Sequence, residues 1–264
     1  METLIIPDRS IWSNELFFNS FNFNRVNDGF SKEVNGQKYF FNEVNTADEL
    51  KQVVNIQKKA WRWEDRELAP VHILALMKDT GGGVYAAYND TSRMIGFAAG
   101  FGGGKDVLTG KPILISSMLA IANSELRNKG VGKELKIIQA LHAFQNGYDM
   151  MKWLYDPERG GNASLNLTKL GAMAEEFCID KYGEMRSALY GKVPTDRFRA
   201  VWRYTEPRVI NRILQKDNPK SFDSLLDIPV AKPNYMPIAE KVLVQISPNI
   251  DDEEEQKKLK DDSI

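Results

Sequence analysis

Apolar residues recur at helical spacing in some segments of the chain and at strand-like spacing in others. Residues 1–38 are polar and asparagine-rich with scattered aromatic side chains, which indicates an extension that packs on a core. Residues 38–44 predict a strand. Thr46 and Glu49 have the spacing of a capping box, and the helix that begins there carries apolar side chains along one side. A second helix is predicted after Pro70 and ends at glycines 81–83.

The middle of the chain predicts a series of strands and then a strand–helix–strand unit. Strands are predicted over residues 84–88 and 94–101, the second ended by glycines 102–104. The nearly continuous apolar run Pro112–Ile121 predicts a strand buried on both faces. The later elements are a helix that begins near residue 131 and stops at residues 146–147, a strand over 151–155, a short helix over 162–170, strands over 176–179 and 199–204, and a helix over 209–216. This order predicts a mixed α/β fold.

Composition excludes several classes of site and partner. Cys178 is the single cysteine, which excludes an intramolecular disulfide, and two histidines are too few for a Cys/His zinc site, so no metal is expected. The first residues lack the apolar stretch of a signal peptide, and no run reaches about 18 apolar residues, so we expect a cytoplasmic protein with no membrane partner. The net charge of −1 offers no basic excess for nucleic acid.

Charge is placed unevenly along the chain. Residues 251–264 carry a net charge of −4, and the remainder carries +3, since the total is −1. We expect the acidic tail to be a solvated terminus. A basic segment follows Lys192 and includes Arg197 and Arg199.

The segment with the clearest chemistry connects the buried run Pro112–Ile121 to the next helix. It is basic and contains two glycines, which let a backbone approach a ligand closely. Free N–H groups and the positive end of the helix dipole make such a helix start a site for anions, and a pyrophosphate is the natural ligand. The segment reads Arg127, Asn128, Lys129, Gly130, Val131, Gly132 and Lys133.

Two common nucleotide motifs fail on this segment. A phosphate-binding Walker loop needs a glycine at position 127 and a Ser or Thr at position 134, where the chain has Arg127 and Glu134. A dinucleotide fingerprint needs a glycine where the chain has Leu135. The pattern Arg/Gln-x-x-Gly-x-Gly/Ala is met in full, and it resembles the coenzyme A loop of the Gcn5-related N-acetyltransferase (GNAT) superfamily.

The resemblance covers residues 40 to 204 and implies a fold and a cofactor site. It implies a central, mostly antiparallel sheet with a splayed pair of strands, flanked by helices, and a division into an N-terminal extension (1–38), an acyltransferase domain (39–204) and a C-terminal extension (205–264). It also implies acetyl-CoA as acyl donor. Besides residues 127–133, the implied cofactor-binding residues are Leu119, Ala120 and Ile121 on the strand that pairs with pantetheine, and Asn162 and Asn166 on the following helix.

The implied reaction is direct attack of an amine on the thioester, with a strand N–H near Ile121 polarising the carbonyl. Many relatives carry an acidic tyrosine where this chain has Leu167. Tyr155 is a candidate replacement for the acid and Asp156 a candidate base. Each has a structural alternative, Tyr155 as a packed strand-end aromatic and Asp156 as a turn residue before a proline, and water could relay the proton instead.

The acceptor is predicted to be a small-molecule amine. Arg197 and Arg199 flank Phe198, so on a strand both point to one face, where a guanidinium could hold a carboxylate of the acceptor. The alternative is that both pair with surface acids. The main functional hypothesis is an N-acyltransferase. A CoA-binding or regulatory protein without catalysis and a plain interaction protein are the alternatives, and the oligomeric state, monomer or homodimer, stays open.

Overall fold

The strand predicted at Pro112–Ile121 lies inside a nine-stranded sheet. The computed structural model describes residues 9–27, 29–62, 64–107, 109–122, 127, 129–183 and 195–216, and the backbone of residues 230–231 and 243–244. The strands of the sheet are β1 (Asn24–Val26), β2 (Gly29–Val34), β3 (Gln37–Glu43), β4 (Gly83–Tyr88), β5 (Met94–Lys105), β6 (Pro112–Ile121), β7 (Met150–Tyr155), β8 (Met173–Cys178) and β9 (Arg197–Trp202).

The helices are interleaved with these strands. They are α1 (Asn14–Phe21), α2 (Ala47–Trp61), α3 (Val71–Asp79), α4 (Val131–Gln145), α5 (Gly160–Ala163), which continues into a π-helical turn (Ser164–Lys169), and α6 (Pro207–Ile213). Short 3-10 turns lie at Arg9–Trp12 and Asp65–Glu67, and a separate two-stranded pair joins β10 (Val230–Ala231) and β11 (Leu243–Val244).

The sheet has the order β1-β2-β3-β4-β5-β6-β7-β9-β8, and among these neighbours the pair β6–β7 alone is parallel. Helix α4 connects these two strands, as a parallel pair requires. The predicted fold class, a mixed α/β fold with a mostly antiparallel sheet, is confirmed.

Strands β6 and β7 pair over three residues only and then separate. The last paired residues are Ile115 and Lys152, although β6 continues to Ile121 and β7 to Tyr155. On its other side β7 stays paired with β9 as far as Tyr155. The carboxyl-terminal halves of β6 and β7 therefore diverge, and this is the splayed pair that the resemblance implies.

A β-bulge lies in β6 where the two strands part. Met118 is paired with Ala99 of β5, whereas Ile115 is paired with Phe101, so Ser116 and Ser117 lie opposite the single residue Gly100. A bulge adds a residue to one strand and leaves a backbone group outside the regular ladder. The bulge thus places irregular backbone at the base of the divergence.

Helices cover both faces of the sheet. Helices α2 and α3 pack on one face in a cluster with β4 and β5. Helix α4 packs on the other face and is buried nearly all round. The predicted capping box of α2 is confirmed, because the Thr46 side chain accepts from the Glu49 N–H at 3.3 Å and the Glu49 carboxylate accepts from the Thr46 N–H at 3.1 Å.

The described part of the N-terminal segment packs on the core through its aromatic side chains. Trp12 is fully buried, and its indole N–H donates to the carbonyl of Tyr204 at 3.1 Å. Phe17 stacks with Phe23 at a centroid distance of 5.4 Å. Strands β1 and β2 extend the same sheet, so this segment is continuous with the core.

One strand is longer than the sequence predicts. Residues Gly102, Gly103 and Gly104 were expected to end β5, yet the strand continues to Lys105 and pairs with β6 as far as Pro112. A Cβ at Gly102 would lie 2.0 Å from the Thr80 carbonyl oxygen. The glycines therefore permit close packing within the sheet, rather than a turn.

The solvated acidic tail and the cytoplasmic location stay predictions. The acidic tail, residues 251–264, lies outside the described residues. In the part of the chain that the structure describes, no helix has the length and apolar character to cross a membrane.

Candidate functional site

A cavity of about 200 Å³ opens where β6 and β7 diverge. Its wall is formed by β6, β7, α4, the α5 region and the strand β9. The cavity brings together several residues that the sequence nominated: Leu119, Tyr155, Asp156, Asn162, Asn166 and Arg197. The splay thus produces one site to which separate segments of the chain contribute.

Helix α4 begins beside this cavity. Gly130 is its N-cap and has φ of +96°, a backbone conformation that disfavours other residues. The Gly130 carbonyl accepts from the N–H groups of Lys133 at 2.9 Å and Glu134 at 3.3 Å, whereas the first-turn N–H groups of Val131 and Gly132 have no acceptor within the helix. These N–H groups and the helix dipole form an anion-binding surface.

Gly132 connects that surface to the cavity. A Cβ at this position would lie 3.6 Å from Leu119 and 3.8 Å from Leu165, and both leucines line the cavity. A group bound at the start of α4 would therefore lie next to the diverging end of β6.

The basic side chains of the loop contact helix ends. The Arg127 guanidinium donates to the carbonyl of Ala60 at 2.9 Å, at the end of α2. The Lys133 ammonium donates to the carbonyl of Ile213 at 2.9 Å, at the end of α6, and burial lowers the pKa of Lys133. Lys129 is exposed and its carbonyl accepts from the Asn35 amide at 2.9 Å. The predicted site residue Asn128 lies outside the described residues.

The end of β6 has one paired edge and one open edge. Leu119, Ala120 and Ile121 pair with Ala98, Phe97 and Gly96 of β5. On the other side no β7 residue is paired with them, because the two strands have separated. The open edge is where an extended ligand could bind by backbone hydrogen bonds.

Both nominated asparagines lie in the cavity wall. Asn166 is buried, and its side-chain oxygen accepts from the Trp153 indole N–H at 3.2 Å, while its carbonyl accepts from the Ala172 N–H at 2.9 Å. Asn162 is half-buried in α5. Asn166 therefore fixes the indole of Trp153 on β7 in addition to lining the cavity.

Tyr155 and Asp156 both line the cavity and both have structural contacts. Tyr155 is buried, packs on Phe198 at a centroid distance of 5.9 Å, and its pKa is raised by burial. The Asp156 carboxylate accepts from the Glu158 N–H at 2.9 Å and from the Arg159 guanidinium at 3.2 Å. Asp156 thus has the contacts of a turn residue and of an ion-pair partner.

The two arginines of β9 have different surroundings. Arg197 is buried, lines the cavity, and lies 5.3 Å from the centroid of the Tyr182 ring, with one N–H donating to the Asp196 carbonyl at 2.7 Å. Arg199 donates to the carboxylate of Glu176 on β8 at 2.5 Å. The surface-pairing alternative therefore describes Arg199, whereas Arg197 lines the cavity together with Arg159.

Lys136 is a cavity residue that the sequence analysis missed. It lies on α4, is 1% exposed, and its ammonium donates to the Ser116 hydroxyl at the bulge. The ammonium also lies 4.0 Å from the centroid of a Trp153 ring. Burial lowers the pKa of Lys136 to about 7. The available signal was that Lys136 is the last charged residue of α4 and is followed by the uncharged residues 137–141.

The cavity has no evident metal ligands. Within the described ranges no three His, Cys, Asp or Glu side chains lie together as metal ligands would. What the site offers is an anion-binding helix start, an open strand edge and a cavity with one buried amine.

The chain is similar to known proteins at the level of structure. No family model matches the chain, and no curated protein matches it. Among the solved structures it is similar to an IAA acetyltransferase from Bacillus cereus, with 16% identity, a TM-score of 0.45, and coverage of 62% of this chain and 98% of the other.

Two further structures have similar values. The ribosomal-protein-S18-alanine N-acetyltransferase from Escherichia coli has 14% identity, a TM-score of 0.46, and coverage of 62% and 92%. The ribosomal-protein-S5-alanine acetyltransferase from Vibrio fischeri has 12% identity, a TM-score of 0.46, and coverage of 65% and 94%. At such values the similarity carries no conclusion about substrate.

Proposed function

We propose that the protein is an N-acyltransferase that uses acetyl-CoA as acyl donor and a small-molecule amine as acceptor. One observation carries the proposal: the glycine-bearing start of α4 lies directly beside the cavity between the diverging strands β6 and β7. A helix start suits a pyrophosphate, and a narrow cleft next to it suits the thioester end of the same ligand.

The residues present fit coenzyme A at two places. The N–H groups of Val131 and Gly132 would hold the pyrophosphate, with Gly130 providing the turn into the helix. The open edge of β6 at residues 119–121 would pair with the amide groups of the pantetheine arm. Bound acetyl-CoA would supply an activated acyl group to the cavity.

We place the oxyanion donor at the bulge of β6. The sequence predicts this N–H near Ile121, but Ile121 does not line the cavity, whereas Ser116 does. Ser116 and Ser117 lie at the irregularity, at the base of the cleft, where a backbone N–H is outside the regular ladder. A preorganised N–H at such a point stabilises charge on a carbonyl oxygen during attack.

For the acceptor we propose an amine that carries a carboxylate. Arg197 is the buried arginine of the cavity wall, and guanidinium groups bind carboxylates with defined orientation. A cavity of about 200 Å³ suits a small molecule of amino-acid size. Arg199 is not part of this proposal because it does not line the cavity.

A second candidate function is CoA binding without catalysis. Leu167 stands where the resemblance implies an acidic tyrosine, and it is 37% exposed on the π-helical turn. Under this alternative the chain would bind coenzyme A and leave the thioester intact.

The test combines binding and turnover. Calorimetry measures CoA affinity of the full chain and of Gly130→Glu, which brings bulk and negative charge to the start of α4. We expect the affinity to fall at least tenfold, about 1.4 kcal/mol. Thiol release from acetyl-CoA is then measured with each amino acid and its amide. Unchanged CoA affinity in a folded Gly130→Glu variant would contradict the cofactor site, and CoA binding without thiol release would favour the second candidate.

A further inference from the structure

Lys136 differs from Lys32 and Lys152, two other lysines with little solvent exposure. Lys32 is paired with Glu134 at 2.6 Å, and Lys152 is paired with Asp106. Among the described residues no carboxylate lies within ion-pair distance of Lys136, although it is the most deeply buried of the three. Its partners are Ser116, from β6, and the indole of Trp153, from β7.

The surroundings of Lys136 favour a neutral amine. A buried cation without an opposite charge is costly, and proteins relieve the cost by releasing the proton. The groups in contact with Lys136 are Ser116 from β6 and Trp153 from β7, and Ser116 in turn donates to Gln139 of α4; none of the three carries a charge. Tyr155, Asp156, Arg159, Tyr182 and Arg197 are the other titratable groups of the cavity wall. Burial alone accounts for the lowered pKa.

The Lys136 amine also lies next to the bulge of β6. Its hydrogen-bond partner Ser116 lies at the bulge of β6, beside the N–H to which the oxyanion role is assigned above. Asp156, the carboxylate nominated as base, is engaged by Glu158 and Arg159. Lys136 is therefore the cavity group best placed to exchange a proton next to the acyl carbon.

We propose that Lys136 is the general base of the acyl transfer and afterwards the acid that protonates the leaving thiolate. This inference rests on the proposed acyltransferase function. Ser116, which lies against the amine, can relay the proton over the remaining distance.

The step begins and ends with a neutral Lys136 amine, so its protons and electrons balance. The acceptor nitrogen forms its bond to the acyl carbon and gives a proton to the neutral Nζ, while the bond from that carbon to sulfur breaks and sulfur keeps the electron pair. The Lys136 ammonium then protonates the thiolate, which yields the free thiol and restores the neutral amine. Since an ordinary thiol has a pKa of about 8.5, an ammonium of lower pKa gives up its proton readily.

The proposed proton transfer gives a reason for burying Lys136, although a buried charged amine lowers the stability of the fold. A pKa of about 7 lets Lys136 exist in both protonation states near neutral pH, and a general base works best under that condition.

The test uses Lys136→Met, which removes the amine, and Lys136→Arg, which keeps a cation that does not deprotonate. The acceptor is the amino acid or amide that the wild type acetylates fastest in the thiol-release panel. We expect both variants to lose at least 100-fold in kcat, with CoA affinity within threefold of the wild type. The wild-type rate should rise with pH through about 7, and this limb should be absent in both variants.

Two further measurements separate catalysis from structure. Nitrogen-15 NMR of lysine-labelled protein, with Lys136→Met identifying the resonance, should show the Lys136 amine titrating near pH 7 without any substrate. Lys59→Met, an exposed lysine on α2, is the control and should keep wild-type turnover.

The possible outcomes are distinct. A wild type that binds no CoA, or that releases no thiol with any acceptor, overturns the proposed function and this inference together. A wild type that turns over, with Lys136→Arg keeping more than a tenth of its kcat and its pH limb, overturns the role of Lys136 alone. A Lys136 resonance that titrates near the ordinary lysine pKa also overturns it.

Discussion

Replacing Lys136 with Met should stabilise the folded protein, and the gain should shrink as the pH rises. The pKa of Lys136 is about 7 in the folded chain and returns to the ordinary value of 10.5 on unfolding. Between these values the unfolded chain binds a proton that the folded chain does not, so wild-type stability rises with pH in this window. The penalty is full below the folded pKa and vanishes above the unfolded one.

The shift sets the size of the effect. Each pKa unit corresponds to about 1.4 kcal/mol, so the penalty is about 4 kcal/mol at pH 7 and about 2 kcal/mol at pH 9. Losing the hydrogen bond to Ser116 costs about 1 kcal/mol in the variant at every pH. The variant should therefore exceed the wild type by about 3 kcal/mol at pH 7 and by about 1 kcal/mol at pH 9.

Urea unfolding at several pH values between 6 and 9, followed by tryptophan fluorescence, measures this difference. Other groups also titrate in that range, but they contribute equally to both proteins and cancel in the comparison. Lys59→Met serves as the matched control, because it makes the same substitution at an exposed lysine. A constant difference for Lys136→Met across the range, or a less stable variant at pH 7, would refute the reasoning.

The remaining predictions concern the loop and the cavity. Gly130→Ala should lower the free energy of unfolding in urea by about 1–2 kcal/mol, because the φ of Gly130 is +96°. A variant as stable as the wild type would contradict the positive φ assigned to this residue. Arg197→Ala should raise KM for a carboxylate-bearing acceptor at least tenfold, whereas Arg199→Ala should leave it within twofold, and equal effects would argue against the assignment. Asp156→Asn should lower kcat less than tenfold, because its carboxylate serves the turn and Arg159, and a loss above 100-fold in thiol release would make it the base.

The elements that the sequence predicts well are those whose signals are local. The capping box at Thr46 and the run Pro112–Ile121 depend on neighbouring residues, and both have the predicted structure. The glycine-bearing start of α4 is also local, since a tight turn before a helix needs a residue that tolerates positive φ. The splay was predicted by resemblance alone, because no local pattern tells where two parallel strands stop pairing.

The features that were missed or left open depend on contacts between distant segments. Gly102 permits β5 to continue because the Thr80 carbonyl lies close to it, and only the fold brings these residues together. The different roles of Arg197 and Arg199 follow from the register of β8, which places Glu176 opposite Arg199. Helical periodicity likewise could not show that α4 is covered on nearly every side, and so it could not identify Lys136 as buried.

The cleft and the buried Lys136 amine also depend on contacts between distant segments of the chain. Trp153 is held by the hydrogen bond from its indole N–H to Asn166 and by edge contact with Trp202 at a centroid distance of 6.1 Å. Its ring faces the Lys136 ammonium, and this contact and the Ser116 hydroxyl both favour the charged form, whereas burial favours the neutral form. The lowered pKa shows that burial dominates. With a pKa of about 7, Lys136 can both take up and release a proton near neutral pH, as the proposed acyl transfer requires.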